Sequence, residues 1–230
     1  MKRHFFFLAL LASSADAQDP EFARAITAIN AAAPAPAPAE VASAALATLQ
    51  AMAKEKGGCA PTGVTADAPA AATSTALATQ LIGAGQIKNA WTVYVRPQGC
   101  PADSPTRFIL LRMTAGELLA RVVNVGESLT PPSMMRDSSF AVALPALTMI
   151  QKAHPDCKSM DGLDMTGSRV MSRSADLGPD FYGSRYAGSW REAWTFSLCG
   201  HRAEVPISFV ADGQGGARWT VEERETKLLD

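Results

Sequence analysis

Histidine and cysteine are scarce in this 230-residue chain, at three and four residues, and aromatic side chains make up only 7% of it. His4 falls in the first residues, so His154 and His201 are the histidines left in the body of the chain. No His-Glu-x-x-His, no spaced Cys/His zinc set and no haem Cys-x-x-Cys-His occurs, so a transition metal has no motif to hold it. Asp161-Gly162-Leu163-Asp164 has too few ligands for a calcium loop. Gly83-Ala84-Gly85 opens no dinucleotide fingerprint, because Lys88 stands where the third glycine belongs. Ser184 and Ser189 each follow a glycine, yet neither lies in a Gly-x-Ser-x-Gly elbow, and no Ser-x-x-Lys is present. The carboxylate pairs Asp161/Asp164 and Glu222/Glu223 are of a kind that exposed loops and tails carry. No cofactor and no metal are expected, and catalysis is the less well supplied class.

An excess of either charge is missing too. With 21 basic against 22 acidic residues the net charge is −1, which removes the basic footprint of a nucleic-acid partner. No apolar run approaches the ~20 residues needed to span a bilayer. Phe5 to Ala12 is an uninterrupted apolar stretch, preceded by Met1-Lys2-Arg3-His4 and followed by the small-x-small Ala15-Asp16-Ala17. That is the pattern of a secretory signal peptide over 1–17. Cys59 is far beyond the cleavage region, so no thiol is placed to carry a lipid. A periplasmic or secreted location in a bacterium is expected, where disulfides persist.

The four cysteines then become informative. Cys59 to Cys100 spans 41 residues and Cys157 to Cys199 spans 42, so one unit is written twice, each copy with its own bridge. Ala45, Leu46, Leu49, Lys54 and Cys59 recur in order as Ala143, Leu144, Leu147, Lys152 and Cys157. Ala90-Trp91-Thr92 recurs as Ala193-Trp194-Thr195, and Gly116, Ala120 and Arg121 as Gly213, Ala217 and Arg218. The expected fold is α+β, two tandem repeats, each a helix packed on an antiparallel sheet of three or four strands. Glu40 to Lys56 has helical spacing and a Gly57-Gly58 stop. Its counterpart is expected from Leu144 to His154, with Pro145 in the first turn. Trp91, Val93 and Val95, and again Trp194, Phe196 and Leu198, show the period of two that marks strands. Further strands are expected over 108–113, 119–125, 204–210 and 217–221, with Asp212-Gly213 as a hairpin turn. The division is then 1–17 signal peptide, 18–38 short helix and Pro/Ala-rich spacer, 39–128 first repeat, 129–136 linker around Pro131-Pro132, 137–225 second repeat and 226–230 tail.

Aromatic residues cluster in one place. Tyr182, Tyr186, Trp190 and Trp194 recur every fourth residue, with Phe181, Arg185 and Arg191 among them, and the first repeat has no such cluster. Aromatics with arginine suit stacking on sugars or anchoring a partner, which makes Tyr182, Tyr186, Trp190 and Arg191 the candidate ligand-binding residues. The competing view places both tryptophans in the core of one strand face, with the tyrosines covering a loop. Glu192, between them, is expected at a sheet edge or rim.

Trp190-Arg191-Glu192-Ala193-Trp194, followed by Cys199-Gly200, Val205, Phe209 and Asp212-Gly213-Gln214-Gly215-Gly216, resembles the C-terminal module of uncharacterised secreted proteobacterial proteins. The resemblance covers roughly 30 residues and implies an exported, disulfide-bonded strand-hairpin domain, without an activity to transfer. The function expected is therefore an exported, non-enzymatic binding protein of the bacterial envelope, taking a polymer, peptide or protein partner. The alternatives are a periplasmic hydrolase using His201 with a serine or carboxylate, or an inhibitor or immunity-type protein. A metal or catalytic role for His154 and His201 competes with a plain one, in which His154 ends a helix and His201 follows a Cys-Gly turn.

Overall fold

The computed structural model describes residues 19–101 and 104–229, so the signal peptide expected over 1–17 lies outside the described residues. Asp19 caps the first helix, α1 (Pro20–Ala32), its carboxylate accepting the Glu21 N–H at 2.8 Å, and Pro20 supplies the preset first turn. Pro38 belongs to the next helix rather than to the spacer: α2 runs Pro38–Lys56 and stops at Gly57, whose φ of +78° an L side chain rarely adopts.

Strands β1 (Gly63–Ala66) and β2 (Ala70–Ala71), helix α3 (Ala76–Gly83), and strands β3 (Ile87–Gln98), β4 (Thr106–Met113) and β5 (Leu118–Val125) complete the first repeat. They form an antiparallel sheet in the order β1-β3-β4-β5, with β2 also on β3. The second repeat has α4 (Pro132–Ala153), β6 (Asp164–Arg173), β7 (Ser189–Leu198), β8 (His201–Ala211), β9 (Ala217–Val221) and β10 (Lys227–Leu228). Its sheet runs β6-β7-β8, and both β9 and β10 pair with the free side of β8. The two halves share one plan, and the bridges Cys59–Cys100 and Cys157–Cys199 each join the chain just past the main helix, α2 or α4, to the end of a long strand, β3 or β7. The α+β, two-repeat architecture is thus established. Two disulfides also place the folded chain outside a reducing compartment, and among the described residues no helix is long and apolar enough to cross a membrane.

One expected boundary is corrected. The second main helix starts at Pro132, not near Leu144, and Pro145 lies inside it, so residues 132–136 are helix rather than linker. Proline costs a helix one N–H and crowds the preceding turn. Here it sits beside the exposed Leu144 on the side of α4 away from the core, where water can reach the freed carbonyl.

Burial explains why the halves read differently. In the first sheet α2 covers Trp91, Val93, Val95, Phe108 and Leu110, while α3 covers Ala90, Ile109 and Leu111. Both faces are buried, so β4 reads as an apolar run. In the second sheet the even-numbered residues Trp190, Trp194, Phe196 and Leu198 of β7 pack with Val205, Ile207 and Phe209 of β8 against α4. The opposite face carries ion pairs such as Arg169–Glu204 at 2.7 Å.

The sheets meet edge to edge, β5 beside β6. Gly126 forms a parallel bridge with Ser168, whose Oγ accepts from Asn124 Nδ2 at 2.8 Å and lies 3.1 Å from the Val125 and Glu127 carbonyls. Gly126 has φ +89°, and a Cβ there would fall 2.0 Å from the Ser168 carbonyl oxygen. Gly116 has φ +103° and open space around it. Gly116→Ala should therefore cost only backbone strain, about 1–3 kcal/mol, and Gly126→Ala clearly more, because it also forces the repeats apart. Urea midpoints of the two variants measure this; equal losses would contradict the junction described.

Candidate functional site

The segment joining the repeats is gripped from both sides. Glu192, expected at a rim, is instead fully buried, because its strand position puts it on the face of β7 that turns towards the core. Its Oε1 accepts from Leu129 N at 2.7 Å and from Thr130 N and Oγ1 at 3.0 Å, and its Oε2 accepts from Ser128 Oγ and Trp194 Nε1 at 2.8 Å. Arg107 Nη1, from β4, donates to the Thr130 carbonyl at 2.7 Å and reaches the Ser128 carbonyl at 3.5 Å. Tyr94 Oη donates to Ser128 O at 3.0 Å and accepts Ser128 N at 3.1 Å. N–H groups thus face the carboxylate and carbonyls face the guanidinium, so the peptide dipoles connect two charges that do not touch. Burial pushes the Arg107 pKa below its ordinary value, opposed by Tyr94, Glu192 and Asp180.

The four candidate ligand-binding residues do not converge. Trp190 is 3% exposed, stacked on Phe209 at 5.1 Å and bonded through Nε1 to Thr130 Oγ1, which makes it part of the core and of the grip on the linker. Arg191 points to the other face, where its guanidinium pairs with Glu222 and with Glu225. Tyr182 sits at φ +49° in the loop after β6, and its carbonyl accepts Ser74 N–H at 3.0 Å, docking the second repeat on the first. Ser184 Oγ donates to Ser74 O at 3.1 Å in the same contact. Of the four, Tyr186 lines a cavity.

That cavity, of ≈ 510 Å³, is walled by Phe22 of α1, Thr75 and Thr79 at α3, Asp137 of α4, Tyr186, and the β8–β9 hairpin with Gln214 and Trp219. Phe22 and Trp219 were not singled out as ligand residues in the sequence. Trp219 stands 38% exposed on a short strand whose pattern gives no warning, since its cleft forms only when α1, α3 and α4 converge from far along the chain. A larger space of ≈ 690 Å³ lies between α2, β5 and the start of β6, with Met52 and Val122 on its walls. A third, of ≈ 330 Å³, lies between the first sheet and the segment 170–185, and it has Arg96, Arg107, Arg173 and Arg185 on its walls.

His154 and His201 stack on each other, ring centroids 3.4 Å apart, next to the second bridge in sequence, and neither lines any of these three cavities. Parallel stacked imidazoles direct their in-plane nitrogens away from a common point, and among the described residues no group of three or more His, Cys, Asp or Glu could hold a metal ion. No protein-family model matches the chain, and no curated protein or solved structure matches it either.

On the outer face, the Arg191 guanidinium holds the Glu222 carboxyl below its ordinary value of 4.5, with a further bond from Ser208, while burial opposes. The unfolded chain therefore takes up a proton at Glu222 at higher pH than the folded one does. The stability this pair contributes is present above the usual carboxylate range and is lost as pH falls through the lower folded value. Arg191→Gln should remove that part of the acid limb, so the variant loses less stability than the parent between about pH 5 and pH 3 in urea titrations. Parallel acid limbs would show that the pair contributes nothing to folding.

Proposed function

We propose that the chain is an exported, non-enzymatic binding protein of the bacterial periplasm or exterior, which takes a saccharide-containing envelope polymer in the cleft at Tyr186, Trp219 and Phe22. The observation that carries this reading is the composition of that cleft. Three aromatic rings, two threonine hydroxyls, a glutamine amide and two carboxylates, drawn from both repeats, line ≈ 510 Å³. Rings stack on the apolar faces of sugars, while short polar side chains answer their hydroxyls. Both repeats are needed to build it, which gives the duplication a purpose.

The carboxylates support binding over hydrolysis. Asp212 Oδ1 accepts the N–H groups of Gln214 and Gly216 at 2.7 and 3.0 Å, which shapes the hairpin, and Asp137 Oδ1 is 2.8 Å from Arg136. Neither is held as an acid opposite a base. His201 lines none of the three cavities described above, so they lend no support to a hydrolase built on it. A protein or peptide partner at the same aromatic cleft remains an outcome of the test below.

Trp91, Trp190 and Trp194 are buried, so Trp219 is the exposed reporter among the four tryptophans. Titrating the full chain with solubilised cell-wall saccharide should shift its fluorescence to the blue. Tyr186→Ala should weaken the interaction roughly tenfold, the scale of one lost stacking contact, and Trp219→Phe should abolish the signal. A flat titration with saccharide, or an unaltered Tyr186→Ala variant, would overturn the saccharide reading; a response to envelope peptides alone would replace it with a peptide one.

A further inference from the structure

We infer a second site, independent of the aromatic cleft: the ≈ 330 Å³ cavity between the first sheet and residues 170–185 binds an oxyanion, the carboxylate or phosphate of a small ligand. Its walls carry four arginines, Arg96, Arg107, Arg173 and Arg185, against Asp67, Glu127 and Asp180. Two of these cations are already served. Arg96 Nη1 lies 2.7 Å from Asp67 Oδ1, and Arg185 gives Nη1 to the Gly178 carbonyl at 2.8 Å and stands 3.7 Å from Asp180. Arg107 meets only neutral carbonyls and the face of Tyr94, 6.0 Å from its ring centroid. Arg173 has no ion pair among the described residues, and neither has Glu127.

A second observation concerns unmet donors. Four buried side-chain atoms among the described residues have no hydrogen-bond partner, and two of them are the Nε atoms of Arg107 and Arg185. Both belong to the walls of this one cavity. Buried N–H groups are almost always paired, with protein, water or an ion, and these two guanidinium donors, on residues that line one cavity, have no acceptor among the described residues.

The chemistry selects the ligand. A cation would face four guanidinium groups against three carboxylates, and a neutral sugar would leave the one excess positive charge uncompensated. An oxyanion matches the planar fork of arginine and accepts several N–H bonds at once. It would also offset the desolvation that depresses the Arg107 pKa. Carboxylate and phosphate share this chemistry, so the probes must separate them.

Calorimetric titration of the full chain with citrate and with inorganic phosphate, against sodium chloride of equal ionic strength, tests the site. Saturable heat with citrate assigns a carboxylate ligand, and with phosphate a phosphate-bearing one; either supports the site. Arg173 and Glu127 are exposed and their side chains make no bond within the described residues, so their substitution leaves the fold intact. Arg173→Gln should weaken the anion about tenfold, the scale of one charge-assisted hydrogen bond, and Glu127→Gln should tighten it by removing a like charge. No saturable heat with either anion, or affinities unmoved by both substitutions, would overturn the proposal. Saccharide binding at Tyr186 should persist in Arg173→Gln, which keeps the two sites distinguishable.

Discussion

A buried carboxylate needs every one of its lone pairs answered, and Glu192 obtains its partners from the very segment that joins the repeats. Its five hydrogen bonds come from Ser128, Leu129, Thr130 and Trp194, while Arg107 and Tyr94 hold Ser128 and Thr130 from the opposite edge. Hydrogen bonds to a charged group contribute about 1.5–3 kcal/mol each, but burying the ion costs several kcal/mol, so the net gain in stability is modest. What the arrangement provides is register. The carboxylate accepts only where those N–H groups converge, and the guanidinium donates only where the carbonyls do.

From this grip the positions of the clefts follow. With 128–130 fixed, α4 must begin at once at Pro132, β5 must lie along β6, and the loop 181–184 must seat on Ser74. The aromatic cleft opens where α1, α3 and α4 approach the β8–β9 hairpin, and the arginine-lined cavity opens where the first sheet faces the segment 170–185. Each is bounded by residues of both repeats, so neither exists in an isolated unit. A duplicated small domain thereby gains concave surfaces that one copy, a helix on a sheet, would lack.

Much of the fold was legible because it is local or periodic. Cysteine spacing announced the duplication, alternation marked β3 and β7, and a short helix is expected within 18–38, where α1 lies. Pro145 misled, because proline within a helix is costly in general and the tolerance of this one depends on facing away from the core. Glu192 misled for a different reason: four of its five donors lie 62 to 64 residues away in sequence, beyond any pattern of spacing. The aromatic cluster was visible as composition, yet strand alternation sent Trp190 inwards and Arg191 outwards. Tyr186 reached a cleft, beside Trp219 and Phe22, which nothing in the sequence brings together. The arginines were equally silent, since Arg107 lies in an apolar strand and its role depends on what faces it.

The central claim is that the grip on 128–130 makes the two repeats one cooperative body. Scanning calorimetry of the intact chain tests this most directly. The account predicts one transition whose calorimetric and van't Hoff enthalpies agree, as for a two-state unit. Two resolved transitions, one for each disulfide-closed repeat, would contradict it.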